Sequence, residues 1–124
     1  MWRCAADAIP DPGARGFVVG SPRAPLAILI ARRGPEVFAY YNVCPHTGVN
    51  LDWVPDRLLD VTSRFLQCAT HGALFRLQDG YCIHGPCTGR SLQAVPLSVA
   101  GGQVEIDTDT LYAPSYTGRR TQDN

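Results

Sequence analysis

The chain has no long apolar run, no excess of either charge and only three histidines. Its longest apolar stretch, LAILIA at 26–31, is far too short to span a bilayer. The N-terminal MWRCAADAIPDPG has no signal-peptide pattern. Arg32-Arg33 lies inside the chain, directly behind an apolar strand, which excludes a twin-arginine signal. Eleven basic and eleven acidic side chains cancel, and no basic run offers an electrostatic footprint for nucleic acid. The expectation is a soluble, cytoplasmic protein with neither a membrane nor a nucleic-acid partner. The 124 residues suit one domain, and 45% hydrophobic against 18% charged residues favours a packed core over disorder.

Ten prolines and twelve glycines, many of them eight to twelve residues apart, punctuate the chain as in an all-β protein. GFVVG (16–20) reads as a short strand. LAILIARR (26–33) and EVFAYYNVC (36–44) flank the turn Gly34-Pro35 and read as a hairpin. RFLQC (64–68), ALFRL (73–77) and DGYCIH (79–84) follow as further strands. LQAVPLSVA (92–100) and QVEID (103–107) are joined by Gly101-Gly102, again a hairpin signal, with Pro96 demoting part of its strand to an edge or bulge. LDWVPDRLLDVT (51–62) reads as a long loop or a single helical turn after Pro55. The expected fold is a small antiparallel sandwich or barrel over residues 1–112, followed by a polar, flexible tail at 113–124.

Two short clusters carry the chemistry. CPHTG (44–48) and CATHG (68–72) each place a cysteine, a histidine and then a glycine at a loop between strands. Cys44 and His46 are two apart, and Cys68 and His71 are three apart. Glycines at 48 and 72 let the backbone turn and approach a bound object closely. Each loop thus offers one thiolate and one imidazole. Five cysteines, an odd number without a secretion signal, disfavour a disulfide framework. Three objects remain for these residues: a structural zinc, a [2Fe–2S] cluster, or nothing beyond reduced thiols and satisfied histidines. A two-iron object suits the mixed supply, since Cys2His2 zinc sites usually draw both cysteines from one turn and both histidines from another.

C-x-H-x-G followed by C-x-x-H-G resembles the Rieske iron–sulfur family, and HGPC (84–87) is similar to that family's proline-containing covering loop. The resemblance implies that Cys44 and Cys68 bind one iron of a [2Fe–2S] cluster and that His46 and His71 bind the other. It implies a one-electron carrier, a small ferredoxin that is not itself an enzyme. Its redox partners would be a flavin reductase upstream and an oxygenase or reductase component downstream. The 21 residues between His46 and Cys68 exceed the family's usual spacing, and the excess falls in 51–62. Each ligating imidazole would keep one N–H, a proton site and partner contact if it faces solvent, so His46 and His71 are expected at an exposed tip ringed by apolar side chains such as Val49, Leu51 and Trp53.

Respiratory members of the family carry hydroxyl donors at positions occupied here by Ala73 and Phe75, and a loop-bracing disulfide at positions occupied by Val49 and Thr70. Both departures imply a potential in the lower half of the family's window of roughly −150 to +300 mV. Two other readings stand beside the carrier: a non-redox zinc module, and a small subunit of a larger redox enzyme. Histidine counting argues against a complete oxygenase, because only His84 would remain for a mononuclear iron. No nucleophilic triad and no phosphate-binding glycine loop is present.

Cys4 reads as a buried, inert thiol. Cys82 and His84 would share one face of a regular strand, yet they lack a second pair for a metal. His84 reads as a polar residue beside the covering loop. Cys87 reads as a small apolar lining residue. A Cys82–Cys87 disulfide lies within sequence reach and is disfavoured by the compartment.

Overall fold

The computed structural model describes residues 1–45, 51, 58–69 and 72–111. Nine strands form three antiparallel sheets of three strands each among these residues. The central sheet is β2 (Gly13–Ser21), β3 (Ala24–Arg33) and β4 (Glu36–Tyr41). One outer sheet is β5 (Phe65–Gln67), β6 (Leu74–Arg76) and β7 (Cys82–His84). The other joins β1 (Trp2–Ala5) to β9 (Gln103–Ile106) and β9 to β8 (Ser98–Ala100). Single 3-10 turns occupy Ala6–Ala8 and Thr108–Thr110.

The central sheet is buried on both faces, and strand periodicity decides which side chains go where. From β3, Leu29 and Ala31 enter one core, while Ile28 and Ile30 enter the other. From β4, Tyr40 joins the first group, and Ala39 and Tyr41 the second. The first core continues into Leu66 of β5, Phe75 of β6 and Leu77 just beyond β6. The second continues into Val104 and Ile106 of the terminal sheet. The apolar run at 26–31 is therefore the shared middle layer.

The hairpin expected at Gly34-Pro35 forms with Arg33 opposite Glu36. The one expected at Gly101-Gly102 forms with Ala100 opposite Gln103. Both of its glycines have positive φ, 58° and 76°, as a two-residue turn matched to sheet twist demands. The strand expected over 92–100 shrinks to Ser98–Ala100. Before Pro96 the chain still runs beside β4, because Tyr41 N–H donates to Gln93 and Val95 N–H to Ala39. Pro96 has no N–H to extend that pairing.

The strand Trp2–Ala5 carries no turn punctuation in the sequence and finds its partner in β9, with Trp2 opposite Ile106. Cys4, expected to be buried, is half-buried on this strand. Desolvation pushes its thiol up, partly offset by the nearby Arg15. In the 51–62 stretch, residues 52–57 lie outside the described residues. Beyond them Leu58 is fully buried, Leu59 bridges to Leu66, and Asp60 accepts from the backbone of Arg64 and Phe65 to close the turn into β5. The tail expected at 113–124 also lies outside the described residues.

Candidate metal centre

Cys44 lies three residues beyond β4, and Cys68 directly follows β5. Both are 1% exposed and belong to one buried group that also holds Ala73, Phe75, Cys82 and Cys87. Four of the five thiols are thus buried in the same core, and none of the five forms a disulfide. His46 and His71 lie outside the described residues, as do Val49, Trp53 and Thr70.

Local hydrogen bonds shape each loop. In the second, Cys68 N–H donates to Ala73 at 2.9 Å and Gly72 N–H donates back to Cys68 at 2.9 Å, so the turn is closed by its own backbone. In the first, the side chain of Asn42, buried at 3% exposure, accepts from Leu51 N–H at 2.8 Å. The carbonyl of Leu51 then accepts from Ala69 N–H at 2.8 Å, joining the first loop to the second. Leu51 is therefore core and not part of an exposed ring. Its backbone is held between Asn42 and Ala69, which turns its apolar side chain inward.

The covering loop contacts both cluster loops. The Arg90 guanidinium donates to the Pro45 carbonyl at 3.1 Å, between Cys44 and His46 in the chain. Gly85, at φ 103°, lies so close to Ala73 that a Cβ there would stand 2.8 Å from the Ala73 Cα. The loop is closed on itself where Cys82 N–H donates to Arg90 at 2.8 Å and Gly89 N–H to Cys82 at 3.3 Å. Cys87 faces Cys82, with the two sulfurs 3.3 Å apart. Burial pushes the Cys87 thiol well up, and the neighbouring Cys82 and Cys44 sulfurs push it further.

Cys82 and His84 do not share a face. A bulge sets Phe75 opposite Cys82 and Leu74 opposite His84, so Ile83 is the extra residue. Cys82 is buried and His84 is exposed, and the Cys82 sulfur donates to the His84 carbonyl at 3.2 Å. No group of three or more potential ligands assembles among the described residues. Sequence reasoning passed over Asn42 and Arg90. An asparagine inside the otherwise apolar FAYYNVC is a readable sign that a loop amide needs a partner. Nothing local to Arg90 points to Pro45.

Two buried thiols on adjoining loops, roofed by a glycine packed against one of them, are the donor chemistry and close backbone approach that an iron–sulfur centre needs. Comparison with known proteins agrees. The Rieske [2Fe-2S] domain matches residues 2–106, and the chain belongs to this family of iron–sulfur proteins. Its cofactor is a [2Fe–2S] cluster, and its role is that of an electron carrier rather than a catalyst. The "Alkene monooxygenase system, ferredoxin component" of Xanthobacter autotrophicus is 32% identical over 108 residues, covering 87% of this chain and 80% of that protein. A chain of the complex of reduced oxygenase and oxidized ferredoxin in carbazole 1,9a-dioxygenase superposes with a TM-score of 0.67 at 24% identity, covering 87% and 92%. The ferredoxin of Sphingomonas yanoikuyae B1 gives 0.64 at 23% identity, covering 86% and 96%. The expected antiparallel Rieske fold is therefore the observed one. No helix among the described residues is long and apolar enough to cross a membrane.

Proposed function

We propose that Cys44 and Cys68 hold one iron of the cluster and His46 and His71 the other, and that the protein passes single electrons to an oxygenase component. The observation that carries this reading is the convergence of Cys44 and Cys68 into one buried group beneath the covering loop. The supply of one thiolate and one imidazole per loop supports the rest of the set. The relative in Xanthobacter is itself the ferredoxin of a monooxygenase system, which favours an oxygenase as the acceptor. A flavin reductase is the matching donor, and the cytoplasm, where reduced nicotinamide is made, is the matching compartment.

Charge sets the potential. Two thiolates neutralise an oxidised [2Fe–2S] core, and neutral imidazoles add nothing, so the reduced site carries about one negative charge. Ala73 and Phe75 are both fully buried, and neither side chain can donate to the cluster sulfurs. The potential accordingly falls in the lower half of the window of roughly −150 to +300 mV. Anaerobic purification tests the ligand set. A reddish-brown protein with two irons and two sulfides per chain is expected, and His46→Cys or His71→Cys should drop the potential towards the four-cysteine value near about −400 mV. A colourless protein with one bound zinc overturns the reading in favour of the zinc module. A native mass showing a permanent larger enzyme assigns the chain as a subunit instead.

A further inference from the structure

Cys82 and Cys87 have no part in the proposed ligand set. They sit on the covering loop, five residues apart, with their sulfurs 3.3 Å from each other. A disulfide requires about 2.05 Å between sulfurs, so the two must come closer by about 1.3 Å. The backbone already holds the pair together. Cys82 N–H is bonded to Arg90, Arg90 N–H to Cys87 at 2.9 Å, and Gly89 N–H to Cys82. The loop between them is pinned once more, where the Thr88 hydroxyl donates to Gly85 at 2.6 Å. What joins the sulfurs now is a thiol–thiol hydrogen bond, which is weak. Closing the bond gives up this contact and the one from the Cys82 thiol to the His84 carbonyl at 3.2 Å, both from weak sulfur donors.

We propose that Cys82 and Cys87 form a reversible dithiol–disulfide couple, a modification site on the covering loop that responds to low-molecular-weight disulfides. The pair is distinct from the loop-bracing bridge of the respiratory proteins, whose matching positions here are Val49 and Thr70. The step conserves atoms and electrons. One protein thiolate attacks the small disulfide and releases the first small thiol. The second cysteine then attacks the mixed disulfide and releases the other. Two protein thiols are oxidised, one small disulfide is reduced to two thiols, and the cluster takes no part. The inference goes beyond the electron-carrier reading and does not depend on it.

Both thiols are buried, so exchange is slow, and the couple is best read at equilibrium. The cluster-bound protein is incubated anaerobically in buffers of 2-mercaptoethanol and its disulfide at a series of ratios. Free thiols are then alkylated in denaturant and the protein is digested with trypsin. The peptide spanning 77–90, LQDGYCIHGPCTGR, holds both cysteines and no other. The expected result is a rising fraction of this peptide that is unalkylated and lighter by two hydrogens, with visible absorbance retained and the change reversed by excess thiol. In Cys87→Ser the Cys82 peptide stays alkylatable or carries one small-thiol adduct. A wild-type peptide that is doubly alkylated at every ratio overturns the proposal. So does a stable adduct on either cysteine, or a disulfide that forms only once the visible absorbance is gone.

Discussion

Tyr40 joins the central sheet to the part of the fold that carries the cluster loops, and removing its hydroxyl should reshape stability against pH. Its OH donates to the Leu77 carbonyl at 2.6 Å, and the residue is 3% exposed. Desolvation, with the Asp79 carboxylate adding to it, pushes the phenol up to about 12 from the ordinary value of 10.0. Between those two pH values the unfolded chain loses this proton while the folded chain keeps it. The stability that the neutral phenol contributes is thus fully present below pH ~10 and is lost as pH climbs through ~12. At about 1.4 kcal/mol for each pH unit, the loss approaches roughly 3 kcal/mol. Tyr40→Phe removes one hydrogen bond and leaves a buried carbonyl with less to accept, at a cost of about 1–2 kcal/mol at neutral pH. It also removes the alkaline loss, so the two stability curves should cross near about pH 11. The chain has no lysine, its eleven basic side chains all being arginine, so no ammonium side chain titrates across this range. Calorimetry of the cluster-bound protein at one scan rate should show Tyr40→Phe melting about 3–8 °C lower at pH 7, level near pH 11 and higher at pH 12. Tyrosinate absorbance should show a step near pH 12 in the parent that the variant lacks. Parallel melting curves across the whole range, or no step near pH 12 that distinguishes parent from variant, would overturn this account.

Three other perturbations follow from the loop contacts. Gly85→Ala forces a side chain into φ 103° and against Ala73, a strain of about 1–3 kcal/mol, and should shorten the half-time of cluster loss several-fold when absorbance is followed with a chelator present. Asn42→Ala leaves the buried Leu51 N–H without its 2.8 Å partner, costs about 1–3 kcal/mol, and should lower the melting temperature and speed cluster loss together. Arg90→Ala removes a cation and the clasp on Pro45. Voltammetry should find a potential lower by tens of millivolts, on the order of one exposed charge pair, with Arg90→Lys recovering part of the shift at low salt only. An Arg90→Ala potential equal to the parent's at low salt would show that the guanidinium acts on loop geometry alone.

The features legible from the chain alone are mostly chemistry between near neighbours. Positive-φ turns at Gly34 and Gly101-Gly102, the interruption at Pro96, and the paired cysteine–histidine turns are readable because each depends on residues a few positions apart. The charge balance and the short apolar runs are likewise properties of the chain as written. Other features were decided by tertiary structure. Trp2–Ala5 is a strand because β9, a hundred residues away, supplies its hydrogen bonds. Leu51 is core because Asn42 and Ala69 fix its backbone from two loops. Cys82 and His84 part company because a bulge opposite Leu74 and Phe75 breaks the period of two. The meeting of Cys87 with Cys82, and of Arg90 with Pro45, depends on how one loop closes over two others. The physical reason is that turn preference is a local steric energy. Which turn faces which depends on register and sheet stacking, fixed only when distant strands bury their apolar faces together.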